Sequence, residues 1–222
     1  MILLALDVTS QFGSIVLRAG GKTVARHKLE STEGFAHMIF PAIAQLLQEA
    51  RIPLQDIDCF ASASGPGAFT GVRVGLAAVK GLAEATGKRA AGISNLRALS
   101  TFGSGELRAA VIDARRGEIF GGVFNAKLEI AVPEAVTKWP LWLESLPLSP
   151  DEFVCQAGFP LRSMLEGTKF AGTPVMEAPC YLAEAVALCA ELDGEAGRWS
   201  DPAALDANYV RRSDAELFWR GE

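Results

Sequence analysis

Residues 64–75 read Ser64-Gly65-Pro66-Gly67-Ala68-Phe69-Thr70-Gly71-Val72-Arg73-Val74-Gly75. An apolar stretch of strand length, 57–63, precedes this segment, and apolar and small residues at helical spacing follow it from about Thr70 to Thr86. Because glycine and proline break the chain between them, the segment predicts a strand-to-helix turn. The N–H groups of Gly71 and Val72 at the positive helix end could hold an anion, although a rigid structural turn explains the same residues equally well.

Two common phosphate-binding motifs do not fit this turn. No Gly-Lys-Ser/Thr follows it, as a Walker loop requires. Its glycine spacing, G-x-G-x-x-x-G, differs by one residue from the dinucleotide-binding fingerprint. The sequence therefore argues against both kinds of nucleotide site.

Strands and helices alternate outward from the turn. Strands are predicted at 2–6, 13–18, 22–29, 57–63 and 90–93, and helices at 38–50 and about 70–86. The resulting order, β-β-β-α-β-α-β, predicts a mixed sheet with helices on its faces. This order fits the RNase H-like core of the actin-like ATPases.

A second lobe is predicted after residue 104. Its elements are strands at 107–112, 118–125 and 153–156 and a helix at 181–192, with a short helix at 95–101 before the boundary. We therefore expect an α/β protein of two lobes, each a mixed sheet flanked by helices. Residues 1–104 form the first lobe, and residues 105–222 form a smaller second lobe and a C-terminal tail. No internal repeat is evident in the sequence, and the tail from Ser213 is predicted to be loosely ordered.

The charge argues against a protein that wraps nucleic acid by itself. The 222 residues carry a formal net charge of -5 and a pI near 5.2, whereas phosphate binding needs clustered lysine and arginine. No apolar run approaches the roughly 20 residues of a membrane helix, and the N-terminus lacks a secretion signal, so a cytoplasmic protein without a membrane contact is expected. The 4 cysteines form no CxxC pair and are predicted to be buried thiols.

Acidic and hydroxyl side chains follow two of the predicted strands. Asp7 ends the first strand and precedes Thr9 and Ser10, and Asp113 stands before two arginines, either of which could meet a phosphate or a partner carboxylate. In actin-like ATPases a metal-linked acid and a phosphate-facing turn occupy the position of Asp7, but turn capping and a salt-bridged turn are simpler explanations. The candidates for a vestigial phosphate site are Asp7, Thr9, Ser10, Gly65, Gly67, Gly71 and Asp113.

Two predicted helices carry apolar or small residues on more than one face. Such a helix is either fully buried or covers the sheet with one face and a partner with the other. Complete burial is at least as compatible with a chain of this size. The candidates for a partner interface are Ile39, Phe40, Ile43, Leu47, Val74, Ala78, Gly81 and Ala85.

Metal and nucleophile motifs are missing from the sequence. His27 and His37 are the only histidines, and their spacing forms neither HxxxH nor HExxH. No G-x-S-x-G elbow occurs either. We therefore predict no catalytic residue and no metal ligand.

Three segments resemble, in order, the signatures of the TsaB (YeaZ) family of bacterial tRNA threonylcarbamoyladenosine biosynthesis proteins. They are Leu4-Ala5-Leu6-Asp7, residues 64–75, and Ile112-Asp113-Ala114-Arg115-Arg116-Gly117-Glu118. The similarity spans roughly residues 1–126, and 208–211 resembles a Tyr-x-Arg element near the family's C-terminus. The resemblance implies an actin-like fold and a pseudoenzyme, a non-catalytic subunit needed with TsaD and TsaE to attach threonylcarbamoyl to adenosine 37 of tRNAs that read A-starting codons.

The resemblance also implies partners. In the family, two helices of the first lobe form the surface that dimerises or pairs with TsaD. The chain is therefore expected to form a heterodimer with TsaD, to work with TsaE, to contact tRNA through the complex, and to be a homodimer when alone. No intrinsic cofactor is expected, because the complex uses ATP through its partners.

Two departures from the family pattern bear on the alternative function. Val8 stands where the family commonly has threonine, and Gly34-Phe35-Ala36-His37 stands where its first helix often opens with a His-Ser pair. The alternative is an autonomous enzyme, either an actin-like phosphotransferase using Asp7 and Asp113 around a metal-nucleotide or a glycoprotein peptidase-like enzyme. The loss of one hydroxyl beside Asp7 weakens the phosphotransferase interpretation.

Overall fold

Two five-stranded mixed sheets form the scaffold in a computed structural model that describes residues 1–31 and 33–210. The first sheet contains β1 (Ile2–Asp7), β2 (Phe12–Ala19), β3 (Lys22–Glu30), β4 (Cys59–Gly65) and β5 (Arg89–Ser94). The second contains β6 (Leu107–Arg115), β7 (Glu118–Asn125), β8 (Ile130–Lys138), β9 (Glu152–Gln156) and β10 (Val175–Ala178). This architecture confirms the predicted α/β fold of two lobes.

The two sheets have the same topology. Their strand orders are β3-β2-β1-β4-β5 and β10-β9-β6-β7-β8. In each, the first three strands form an antiparallel meander, the fourth pairs in parallel with the first, and the fifth pairs in parallel with the fourth. The fold is therefore duplicated, although the sequence shows no repeat.

Six α-helices connect and cover the sheets in the described part of the chain. They are α1 (Ile39–Ala50), α2 (Phe69–Thr86), α3 (Asn95–Ser100), α4 (Trp139–Ser145), α5 (Leu161–Leu165) and α6 (Ala183–Glu195). The long helix α2 ends at Gly87, whose φ of 66° gives the left-handed residue that commonly terminates a helix. None of these helices combines the length and apolar content needed to cross a membrane.

Alternation along the strands of the first sheet sends side chains into two separate cores. Leu4 and Leu6 of β1 pack with α1 and α2 on one face, whereas Leu3 and Ala5 pack with α6 on the other. All four side chains are almost completely buried. This period-two burial explains why β1 reads as a continuous apolar run rather than as an alternating strand.

The two lobes exchange helices. Helix α3 follows the first sheet in the chain, but its Leu96 and Leu99 pack in a core with Phe120, Phe124 and other residues of the second sheet. Helix α6 follows the second sheet but packs on β1, β2, β4 and β5 of the first. A boundary at residue 104 thus falls between the sheets, while the residues that cover each sheet come from both halves of the chain.

Sequence reasoning located the elements of the first lobe within about two residues of their observed bounds and missed several elements of the second. The missed elements are β8, α4, α5 and β10, all within 130–178. They are short or, like β8, half-exposed on both faces, so that neither helical nor strand periodicity is strong. The predicted tail from Ser213 lies outside the described residues.

The exchanged packing of α3 predicts a large cost for a single substitution. Leu96→Ala should lower the free energy of unfolding by about 2–5 kcal/mol, because it leaves a cavity in the core that joins α3 to the second sheet. Leu141→Ala, at a leucine that is 55% exposed, is the control and should change it by less than about 1 kcal/mol. Urea denaturation measures both values, and equal effects would contradict the assignment of α3 to the second core.

Candidate functional site

A cleft of about 900 Å³ lies between the lobes. Its walls come from the β1–β2 turn and the start of α2 on one side, and from the β6–β7 turn on the other. The segment 208–210 also contributes. Four of the seven predicted phosphate-site residues line it: Thr9, Ser10, Gly67 and Asp113.

Asp7 lies behind the cleft wall and not in it. Its side chain is completely buried, and its Oδ1 accepts hydrogen bonds from the backbone N–H of Thr9 at 2.9 Å and from Thr9 Oγ1 at 2.6 Å. Oδ2 has no partner among the described residues. Burial raises the pKa of the Asp7 carboxyl, and the bonds from Thr9 only partly offset that effect. Asp7 therefore caps its own turn, the simpler of the two predicted roles.

Asn95, at the start of α3, connects this turn to the strand-to-helix turn. Its Nδ2 donates to Thr9 Oγ1 at 2.7 Å, and its Oδ1 accepts from the backbone N–H of Gly65 at 2.9 Å. Both contacts are buried, and they hold Gly65 in place with a φ of 104°. Sequence reasoning missed Asn95, because no local motif distinguishes it from any other residue near a helix start.

Glu134, on the edge strand β8, ties the lobes together. One carboxylate oxygen accepts from Ser94 Oγ, and the other accepts from Asn208 Nδ2 at 2.6 Å. The backbone of Asn208 in turn donates to the carbonyl of Ser64 at 2.8 Å. Burial raises the pKa of the Glu134 carboxyl against the lowering effect of its two hydrogen bonds. This contact between residues far apart in the chain also has no sequence signal.

Gly67 and Gly71 permit a close contact between α2 and the β1–β2 turn. A Cβ atom on Gly71 would lie 2.1 Å from the carbonyl oxygen of Val8, and one on Gly67 would lie 2.7 Å from that of Thr9. The N–H of Val72, proposed as an anion donor, instead bonds to the carbonyl of Ala68 at 3.0 Å. The glycines thus serve the structural role that the sequence allowed as one of its two explanations.

Asp113 repeats the geometry of Asp7 in the second lobe. Its Oδ1 accepts from the backbone N–H two residues ahead, that of Arg115, at 2.7 Å, as Asp7 does from Thr9. Unlike Asp7, it is exposed, and Arg115 lies 3.3 Å from its second oxygen. A salt-bridged turn, the simpler explanation, describes this segment.

The predicted partner interface is only partly on the surface. Ile39, Ile43 and Ala78 belong to the core of the first lobe and are at most 5% exposed, so their assignment to a surface is corrected. Of the others, Phe40, Gly81 and Ala85 are exposed, and Leu47 and Val74 are half-buried. The exposed ridge of α2 instead consists of Phe69, Arg73, Ala77, Gly81 and Ala85, every fourth residue.

Comparisons with known proteins match this chain to a family model and to several curated relatives. A family model described as "TsaD: tRNA N6-adenosine threonylcarbamoyltransferase" matches residues 30–173. The tRNA threonylcarbamoyladenosine biosynthesis protein TsaB of Bacillus subtilis is 29% identical over 231 residues, covering 99% of this chain and 98% of that protein. TsaB of Haemophilus influenzae is 34% identical over 125 residues, covering 54% of this chain and 52% of that protein.

A solved structure shows the same fold over nearly the whole chain. It is an uncharacterized protein with similarity to peptidase YeaZ from Pseudomonas aeruginosa. The TM-score is 0.77 at 26% identity, covering 95% of this chain and 99% of that one. Similarity to TsaB and YeaZ thus extends through the second lobe, beyond the motifs of the first.

Two glycines of α2 predict opposite responses to one substitution. Gly71→Ala should lower the free energy of unfolding by about 1–3 kcal/mol, since the new methyl group collides with the Val8 carbonyl. Gly81→Ala should raise it by about 0.5–1 kcal/mol, because nothing lies within 4 Å and alanine favours the helix. Urea denaturation of both variants measures the contrast, and stabilisation by Gly71→Ala would refute the close contact.

The buried Asp7 carboxyl predicts a pH-dependent stability difference. Because its pKa is raised in the folded state, the protonated form is favoured there, and stability is lost as pH rises above the usual carboxyl range. The free energy of unfolding of Asp7→Asn should therefore increase relative to that of the unmodified chain as the pH rises above the usual carboxyl range, by at most about 1.4 kcal/mol per pH unit. Asp113→Asn controls for the same atomic change at the exposed turn. A pH-independent difference would show that folding does not raise the pKa of the Asp7 carboxyl.

Proposed function

This chain belongs to the TsaD family (tRNA N6-adenosine threonylcarbamoyltransferase), and we propose that it acts there as a non-catalytic subunit in the synthesis of threonylcarbamoyladenosine in tRNA. The observation that carries the proposal is the similarity to B. subtilis TsaB across nearly the full length of both chains. TsaB is by its name a protein of this biosynthesis. In this proposal TsaD transfers the threonylcarbamoyl group to adenosine 37, and the present chain supports TsaD.

The cleft geometry favours a subunit over an autonomous phosphotransferase. That alternative needs Asp7 to reach a metal-nucleotide in the cleft, but Asp7 is completely buried and bonded to its own turn. The first turn of α2 packs against the same β1–β2 turn. A phosphoryl group would have to displace these contacts before it could approach Asp7.

The C-terminal part of the exposed ridge of α2, which consists of Ala77, Gly81 and Ala85, is the proposed pairing surface for TsaD. Gly81 lies inside a helix, where glycine costs roughly 0.5–1 kcal/mol relative to alanine, and nothing in the described chain comes within 4 Å of its missing side chain. No contact within the described chain explains why a glycine, with its cost in helix stability, occupies position 81. It is consistent with a partner helix that approaches α2 closely at Gly81, as small residues allow.

The remaining parts of the proposal follow from the pairing. TsaE joins the complex in the cytoplasm. ATP is used by the partners of this chain and not by the chain itself. When TsaD is absent, a second copy covers the same C-terminal part of the ridge and gives a homodimer. The negative net charge of this chain leaves most of the tRNA affinity to its partners.

A matched pair of glycine substitutions tests the pairing surface. Gly81→Arg should keep the fold and weaken pairing with TsaD about a hundredfold or more, because it places a charge and a large side chain within the interface. Gly172→Arg introduces the same side chain at an open site in the second lobe and should pair normally. Co-purification with untagged TsaD of the same organism measures pairing, and a tRNA-modification assay with TsaD and TsaE measures function.

Two results would contradict the proposal. If Gly81→Arg and Gly172→Arg pair with TsaD equally well, α2 is not part of the interface. Modification that does not depend on this chain, together with nucleotide hydrolysis by the isolated chain that Asp7→Ala abolishes, would establish the autonomous enzyme instead.

A further inference from the structure

Two exposed aromatic rings flank an arginine at the mouth of the inter-lobe cleft. Phe69 and Tyr209 are 46% and 49% exposed, and their ring centroids lie 6.0 Å apart. The guanidinium carbon of Arg73 lies 3.7 Å from the Phe69 centroid, and Arg73 Nε donates to the Tyr209 hydroxyl at 2.9 Å. These contacts fix the rings in place while half of each residue remains open to solvent.

The facing wall of the cleft carries two further arginines. Arg115 and Arg116 form the β6–β7 turn with φ values of 64° and 56°, a left-handed conformation that residues with a side chain seldom adopt. Asp113, which pairs with Arg115, is the single carboxylate among the described residues that line the cleft. On a chain of net charge -5, the lining of the cleft thus carries two arginines against one carboxylate.

Polar groups line the cleft between the two walls. Thr9, Ser10, Gln11 and Gln156 bring hydroxyl and amide groups to it. An aromatic ring can stack on the face of a base, and hydroxyl and amide groups can form hydrogen bonds with its edge. Arginines can bind the phosphate. A single unstacked nucleotide fits this combination, since a paired base would present neither its face nor its pairing edge.

We propose that the cleft mouth binds an unpaired nucleotide of the tRNA, with the base stacked on Phe69 and Tyr209 and the backbone phosphate held by Arg115 and Arg116. The proposal rests on the proposed function, which brings tRNA to the complex. The aromatic platform is at the rim, where a nucleotide that is part of a longer chain can enter. The positive lining matches a polyanion and makes RNA a better occupant than an acidic chain segment of a protein, which would not use the stacking surface.

Fluorescence anisotropy of a labelled tRNA anticodon stem-loop, titrated with the complex of this chain and TsaD, tests the proposal. Phe69→Leu and Tyr209→Leu should each weaken binding about tenfold through lost stacking, whereas Tyr209→Phe should bind as the unmodified chain does. Arg115→Gln should reduce the slope of log affinity against log salt by about 0.7, the value for one phosphate contact on a single strand. Arg51→Gln, at an exposed arginine outside the cleft, is the matched control and should leave the slope unchanged.

Co-purification with TsaD and thermal unfolding accompany each titration. Unchanged RNA affinity in both leucine variants overturns the proposal. Loss of TsaD pairing in these variants also overturns the RNA proposal, because Phe69 and Tyr209 would then contact TsaD. The proposed function would still stand in that case. Competition by free AMP at concentrations equal to those of the stem-loop would assign the cleft to a mononucleotide instead. If the unmodified chain does not pair with TsaD, the proposed function fails on that readout, and the same titrations on the isolated chain decide the RNA proposal.

Discussion

The contact between the first turn of α2 and the β1–β2 turn sets the geometry of the first lobe around the cleft. It exists because residues 67 and 71 have no side chain, so that two backbone segments meet at a distance that a methyl group would prevent. The contact places the start of α2 at the cleft, and with it Phe69 and Arg73. It also closes the space in front of Asp7, whose carboxyl group is left to its own turn. A turn with the composition of a phosphate-binding segment thus serves as a packing contact, and it positions the helix whose exposed ridge we propose as a pairing surface.

Two groups of hydrogen bonds lie behind the cleft, and one of them joins the lobes. The buried group runs from Asp7 through Thr9 and Asn95 to Gly65, all within residues 1–104, and the partly buried group runs from Ser94 through Glu134 to Asn208. Because Glu134 of the second lobe bonds to specific groups of Ser94 and Asn208, the second group favours one arrangement of the lobes over others that would bury the same apolar area. The carboxyl groups of Asp7 and Glu134 both have raised pKa values, since burial outweighs their hydrogen bonds. Burial therefore disfavours the ionised form of both carboxyl groups that lie behind the cleft.

The sequence predicted the first lobe well because its signals are local. Apolar runs and the glycine-rich turn specify β1, β4 and α2 without reference to the rest of the chain. The surface of α2 was harder to assign, since alanine and glycine occur on every side and only the structure shows that Ala78 faces the sheet and Ala77 faces solvent. The hydrogen-bonding partners of Asn95, Glu134 and Asn208 escaped detection for a different reason, although 208–211 resembles a family element. Each acts through a partner between 30 and 143 positions away, and no spacing rule applies at that range.

The exchange of α3 and α6 gives the duplicated fold an interlocked form. Each half of the chain builds one sheet and then contributes its last helix to the core of the other. The arrangement is geometrically that of a domain-swapped dimer whose two subunits are joined by the short connection from α3 to β6. Each half of the chain therefore leaves part of the apolar surface of its own sheet to be covered by a helix of the other half. We expect the two visible lobes to unfold together for this reason.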